Sequence, residues 1–116
     1  MSHFISVEQA RKMTAALRNS GEQILTPLHK GLNIIPTCET FEREAFDALL
    51  AQPDCTSIRI YYGMDEKLKI HTIAVGVNSK NEDILPPLEG RVETAIIVEN
   101  SKRCPADCPP SSSINP

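Results

Sequence analysis

Val7, Ala10, Met13 and Leu17 recur at three- and four-residue spacing, which winds them onto one stripe of a helix. Ser6 followed by Gln9 makes a capping-box pattern at its start, and Gly21, after Asn19 and Ser20, stands where a left-handed stop is expected. The spacing predicts a first helix over 7–20. In 22–36, Pro27, Gly31 and Pro36 punctuate the apolar runs Ile24-Leu25 and Leu32 to Ile35. The second apolar run fits either a short edge strand or a loop packed over the core. Thr37 as N-cap, Glu39 and Glu42 near the positive end, and Phe41, Ala45 and Leu49 four residues apart predict a second helix over 38–51, stopped by Pro53.

The period then changes to two. Ile58, Ile60 and Tyr62 face one way and Arg59 and Tyr61 the other, the alternation of a half-buried strand. A polar turn leads into a second strand over 68–77, whose stretch 73–77 is apolar on both faces and therefore central. After a polar loop and the Pro86-Pro87 break, 92–98 reads as a third strand. From Cys104 onward the periodicity ends in a proline-rich stretch suited to an extended tail. The predicted architecture is α+β: two helices packed on one face of a small, mostly antiparallel three- to four-stranded sheet, as a single domain over 1–103 with a Cys/Pro-rich tail over 104–116.

Length and charge narrow the function classes. The chain has 116 residues, enough for one core, and with 4% aromatic residues and no Trp that core is aliphatic. The formal net charge of −3 and short, scattered basic stretches argue against a nucleic-acid partner, which would call for cations gathered on one face. No apolar run approaches the ~20 residues of a membrane span, and the first residues lack the basic-then-apolar order of a signal peptide. A cytoplasmic setting is the expectation, with its four cysteines as free thiols or metal ligands before disulfides.

Cys104-x-x-x-Cys108 is the most distinctive chemical feature. Two thiolates at that spacing can chelate one zinc, but they are half a site; Cys55, Cys38 or a histidine such as His71 would have to complete it. A disulfide within the tail, or from Cys55 to it, is the competing reading, and idle buried thiols are the plainest one. The spacing is not the Cys-x-x-Cys of thioredoxin-like proteins. Cys38, placed at the predicted start of the second helix, has the surroundings of a reactive thiol, though no base is evident beside it. Glu39, Glu42, Glu44 and Asp47 read as the solvated face of that helix. Arg59 and Tyr61 form the aromatic-plus-arginine pair enriched at partner surfaces, while ordinary cross-strand packing accounts for them equally. Gly76 within a strand marks a bulge or a close helix approach. Phosphate-loop, dinucleotide, zinc-protease and nucleophile-elbow motifs do not occur.

The stretch 48–55, the string Ile58-Arg59-Ile60-Tyr61-Tyr62-Gly63, the turn Val75-Gly76-Val77-Asn78 and the closing Cys104-Pro105-Ala106-Asp107-Cys108 together resemble a family of small bacterial proteins of unestablished activity, found mostly in Bacteroidetes. The resemblance spans about 5–110, and members often carry Cys-Pro-Pro-x-Cys in the tail. It implies no catalytic residue and draws attention to Cys55, Cys104 and Cys108. The function expected is a non-enzymatic interaction or accessory domain presenting the Arg59/Tyr61 face to a protein partner. The alternatives are a cysteine-based zinc or redox site and a thiol enzyme using Cys38.

Overall fold

The structure, a computed structural model, describes residues 4–86, 97–99 and 101–116. Its first helix, α1, runs Val7–Ser20, and the capping box is formed: Gln9 N–H donates to the Ser6 hydroxyl at 3.1 Å and Ser6 N–H to the Gln9 side chain at 3.2 Å. The expected left-handed stop at Gly21 is corrected, because Gly21 has right-handed φ −58° and ψ −38° and the chain tightens into a 3-10 turn over Gly21–Ile24. A Cβ there would stand 3.1 Å from Leu17 Cδ1, so glycine is present for close packing of Leu17.

A second 3-10 turn, Pro27–His29, follows, and then the loop alternative for 22–36 holds. Ile34 is buried at 4% exposure, and its carbonyl accepts from Ile70 N–H at 2.7 Å and from the Arg103 guanidinium at 2.8 Å. Arg103 also donates to Asn33 O at 2.6 Å and Ile70 O at 3.1 Å, so one side chain fastens this loop to the sheet.

Residues 38–42 are not helical, which corrects the start of the second helix. Strand β1, Cys38–Thr40, pairs antiparallel with the distant strand Lys102–Cys104, and helix α2 is the shorter Arg43–Leu50. Glu42 is its N-cap, and its side chain accepts no capping hydrogen bond. What sets the start is a hydrophobic staple: Phe41, just before the cap, stacks on Phe46 in the first turns, with ring centroids 5.3 Å apart.

The main sheet follows the predicted alternation. Strand β2, Cys55–Met64, pairs antiparallel with β3, Ile70–Asn78, in a register that sets Ile60 opposite Ala74 and Arg59 opposite Val75. The short strands β4, Asp83–Ile84, and β5, Ile97–Val98, pair with β3 as well, which makes β3 central as its two-sided apolar run predicts. Of the third predicted strand, residues 97–98 are β5 and 92–96 lie outside the described residues. Strand β6, Lys102–Cys104, continues across the expected boundary at 103/104, so Cys104 belongs to a two-stranded ribbon and not to a free tail.

The α+β class with a small antiparallel sheet is observed. Helix α2 sits on the face shared by Ile58, Ala74 and Gly76. Its Leu49 is fully buried, and a Cβ on Gly76 would lie 2.7 Å from Gln52 Nε2 and 3.4 Å from Leu49 O. Gly76 thus serves a close helix approach. Helix α1 buries no residue, leaving Val7 at 65% and Met13 at 67% exposure. No helix among the described residues is long and apolar enough to cross a membrane.

Candidate functional site

Alternation along β2 and β3 carries the α2-covered face onward to Ile60, Tyr62, Ile70 and Thr72, beyond the reach of α2's eight residues. There the face borders an open cleft of about 530 Å³. Leu17 of α1, Ile24 of the 3-10 turn, Ile35, Pro36 and Phe41 close its other sides. A volume of this order matches ordinary ligand clefts, roughly 300–1,000 Å³. Ile24 and Tyr62 are 78% and 79% exposed, so its rim is apolar and faces solvent.

Two polar side chains enter this wall from β1, Cys38 and Glu39. Glu39 is not on the solvated face of a helix, as its sequence position predicts. Its side chain is only 5% exposed, accepting from the Thr72 hydroxyl at 2.5 Å and the Ser101 hydroxyl at 2.8 Å. A carboxylate so deeply placed is tolerated because both oxygens have donors. His71 lies behind it, with Nδ1 3.9 Å from Glu39 and 3.7 Å from Glu99, and Nε2 2.7 Å from Asp65. Asp65 organises the β2–β3 turn, accepting Lys67 N–H at 2.8 Å and Lys69 N–H at 3.0 Å on its other oxygen. The His71 hydrogen bond, then these backbone donors, lower its pKa from 3.8 to about 2. Three carboxylates from three chain segments meet at one imidazole, a constellation invisible to spacing arguments.

The cysteines are arranged differently from the zinc expectation. Cys104 and Cys108 are joined to each other in a disulfide, so neither is a thiolate ligand in this state. Cys38 lies directly opposite Cys104 in the β1–β6 register. Cys55 belongs to the other sheet, where its thiol donates to Ser57 O at 3.4 Å and would meet a Cβ on Gly76 at 3.0 Å. Among the described residues no group of three or more histidine, cysteine or acidic side chains is disposed to hold a metal ion. The predicted set Cys38, Cys55, Cys104 and Cys108 is therefore divided, with Cys38 in place of Cys55 as the neighbour of the tail pair. Cys38 also leaves the helix start on which its expected reactivity rested, since it stands in a strand.

Arg59 and Tyr61 point to the face opposite α2 and are joined to their own chain. Arg59 donates to Asp83 at 2.5 Å and to the Asn81 side chain at 2.5 Å, and the Tyr61 hydroxyl donates to Asp83. Because β3 lies between β2 and β4, these bonds bridge diagonally over Val75 and Val77, each 2% exposed. Bonding to Asp83 holds the phenol above its usual range, and the carboxyl is lowered, first by Tyr61 and then by Arg59. Cross-strand packing is the role this geometry gives the pair.

No protein-family model, curated protein or solved structure matches this chain. Neither the surface formed by Ile24, Ile35 and Tyr62 nor the burial of the Glu39 carboxylate follows from local sequence pattern. One signal was present for the latter: Thr37-Cys38-Glu39-Thr40 carries two β-branched residues where a helix start was expected.

Proposed function

We propose that this chain is a non-enzymatic interaction domain that receives an apolar segment of a protein partner in the cleft between α1 and the open end of the sheet. The observation that carries the reading is the state of α1. Its amphipathic stripe, capped and regular, is left at high exposure beside a cleft lined by aliphatic and aromatic groups. Clustered exposed apolar surface of this kind marks interaction sites, and a groove with anchor positions suits an amphipathic peptide. On this reading the binding surface lies on the Tyr62 side of the sheet, while Arg59 and Tyr61 are engaged with Asp83.

The test is site-specific photocrosslinking in the native host. A photoreactive phenylalanine analogue at Tyr62 is expected to give one discrete protein adduct, and at Tyr61 none. Ile24→Asp should abolish the Tyr62 adduct while leaving the circular dichroism spectrum unchanged. No adduct at Tyr62, or the same adducts at both positions, would end this reading.

A further inference from the structure

From the β1–β6 register we infer that Cys38, Cys104 and Cys108 form a thiol–disulfide exchange site, with Cys104 as the sulfur shared between two partners. Cys38 and Cys104 are Cα partners in an antiparallel ribbon. Directly opposed residues in such a pair project side chains to the same face. Their Cα atoms stand ~4.5 or ~5.5 Å apart, according to the hydrogen-bonding class of the pair. Both values fall inside the ~4.4–6.8 Å that a disulfide spans. The Cys104–Cys108 bond, with a Cα separation of 4.5 Å, satisfies the same range from the other side. One sulfur thus has two geometrically permitted partners, of which one holds it and the other is a free thiol.

The surroundings hold the register and leave room for the thiol to turn. Thr37 N–H donates to Cys104 O at 3.0 Å, and Arg103 ties the neighbouring residue to Asn33, Ile34 and Ile70. Cys38 borders a small void of about 150 Å³ between α1 and the tail, walled in part by Leu17, Pro109 and Ile114. Cys104 is 5% exposed and Cys108 is exposed, so bulk thiols reach Cys108, whereas Cys38 is the near neighbour of Cys104.

In the exchange, the Cys38 thiolate attacks Cys104 Sγ. The Cys38–Cys104 bond forms, the Cys104–Cys108 bond breaks, and the electron pair leaves on Cys108 Sγ. Cys108 takes up one proton in place of the one lost by Cys38, so no net oxidation occurs and no co-reactant is consumed. The product ties β1 covalently to β6, opens the tail loop and presents a free thiol at Cys108. This inference does not rest on the partner-binding reading, although Cys38 also borders that cleft.

Peptide mapping tests it. Trypsin places Cys38 in the fragment 31–43 and both Cys104 and Cys108 in the fragment 104–116. The Cys104–Cys108 bond is therefore internal to one fragment, and Cys38–Cys104 joins two. The full chain is incubated in mildly alkaline buffer, quenched in acid, alkylated under denaturing conditions and digested. The joined fragment with alkylated Cys108 is expected to accumulate, to vanish in Cys38→Ser and to persist in Cys55→Ser. As a second arm, Cys108→Ser treated with oxidised glutathione is expected to give the Cys38–Cys104 crosslink within the monomer. Absence of the joined fragment in both arms, or its appearance only in disulfide-linked dimers, overturns the inference.

Discussion

Helix α2, with 8 residues, buries Leu49 completely, whereas α1, with 14, buries none. Both are amphipathic and both lie toward the same face of the sheet. They differ in what the facing strand offers. At the α2 end, Gly76 removes a side chain and lets the helix backbone come within van der Waals range of β3. At the α1 end, Ile60, Tyr62, Ile70 and Thr72 keep their side chains, and the helix stands off across the cleft. Seating therefore depends on the partner surface as much as on the helix's own stripe.

The contrast can be broken by mutation, beginning at the seated end. Leu49→Ala should lower unfolding stability by about 2–5 kcal/mol in urea titration, because it leaves a cavity where packing is closest. Gly76→Ala should cost about 1–3 kcal/mol, since the new methyl meets Gln52, Cys55 and the Leu49 carbonyl together. At the loose end, Ser6→Ala should cost about 1 kcal/mol through the lost cap, seen as frayed helix signal. Acid sharpens the comparison differently. The folded pKa of Asp65 lies near 2 and its reference value is 3.8, so its stabilising effect is complete above pH 3.8 and is lost as the pH falls through 2. Asp65→Asn should flatten the decline in urea midpoint across that window. Met13→Ser, on the exposed stripe, should change stability by less than about 0.5 kcal/mol, and a larger loss would mean that α1 is seated after all.

Where local signals and tertiary context agree, the sequence is readable. Gly76 flags a close approach by its lack of a side chain, although Leu49, Gln52 and Cys55, which make it, are distant in sequence. The capping box at Ser6, the alternation in β2 and the two-sided apolar run of β3 follow from neighbours a few residues away. The β1–β6 ribbon does not, because it joins segments more than sixty positions apart, and a four-residue apolar spacing from Phe41 gave 38–42 a helical appearance. The Phe41–Phe46 spacing carried the correct boundary, as a staple instead of a stripe. The site was legible only in its cysteines: Cys104 and Cys108 stood out, their bond was one of several open pairings, and the place of Cys38 beside them depended on that same distant pairing. The cleft depends on where α1 fails to pack, which no periodicity encodes.

The ribbon also fixes an order of events during synthesis. Strand β1 leaves the ribosome more than sixty residues ahead of its partner β6. Until Cys104 emerges, the backbone of 38–40 has no partner in the finished arrangement, and the Glu39 carboxylate lacks the Ser101 hydroxyl that helps to accommodate it. The nascent chain must therefore hold an unmatched strand edge while the residues between β1 and β6 are made, and β6 is the closure that removes it.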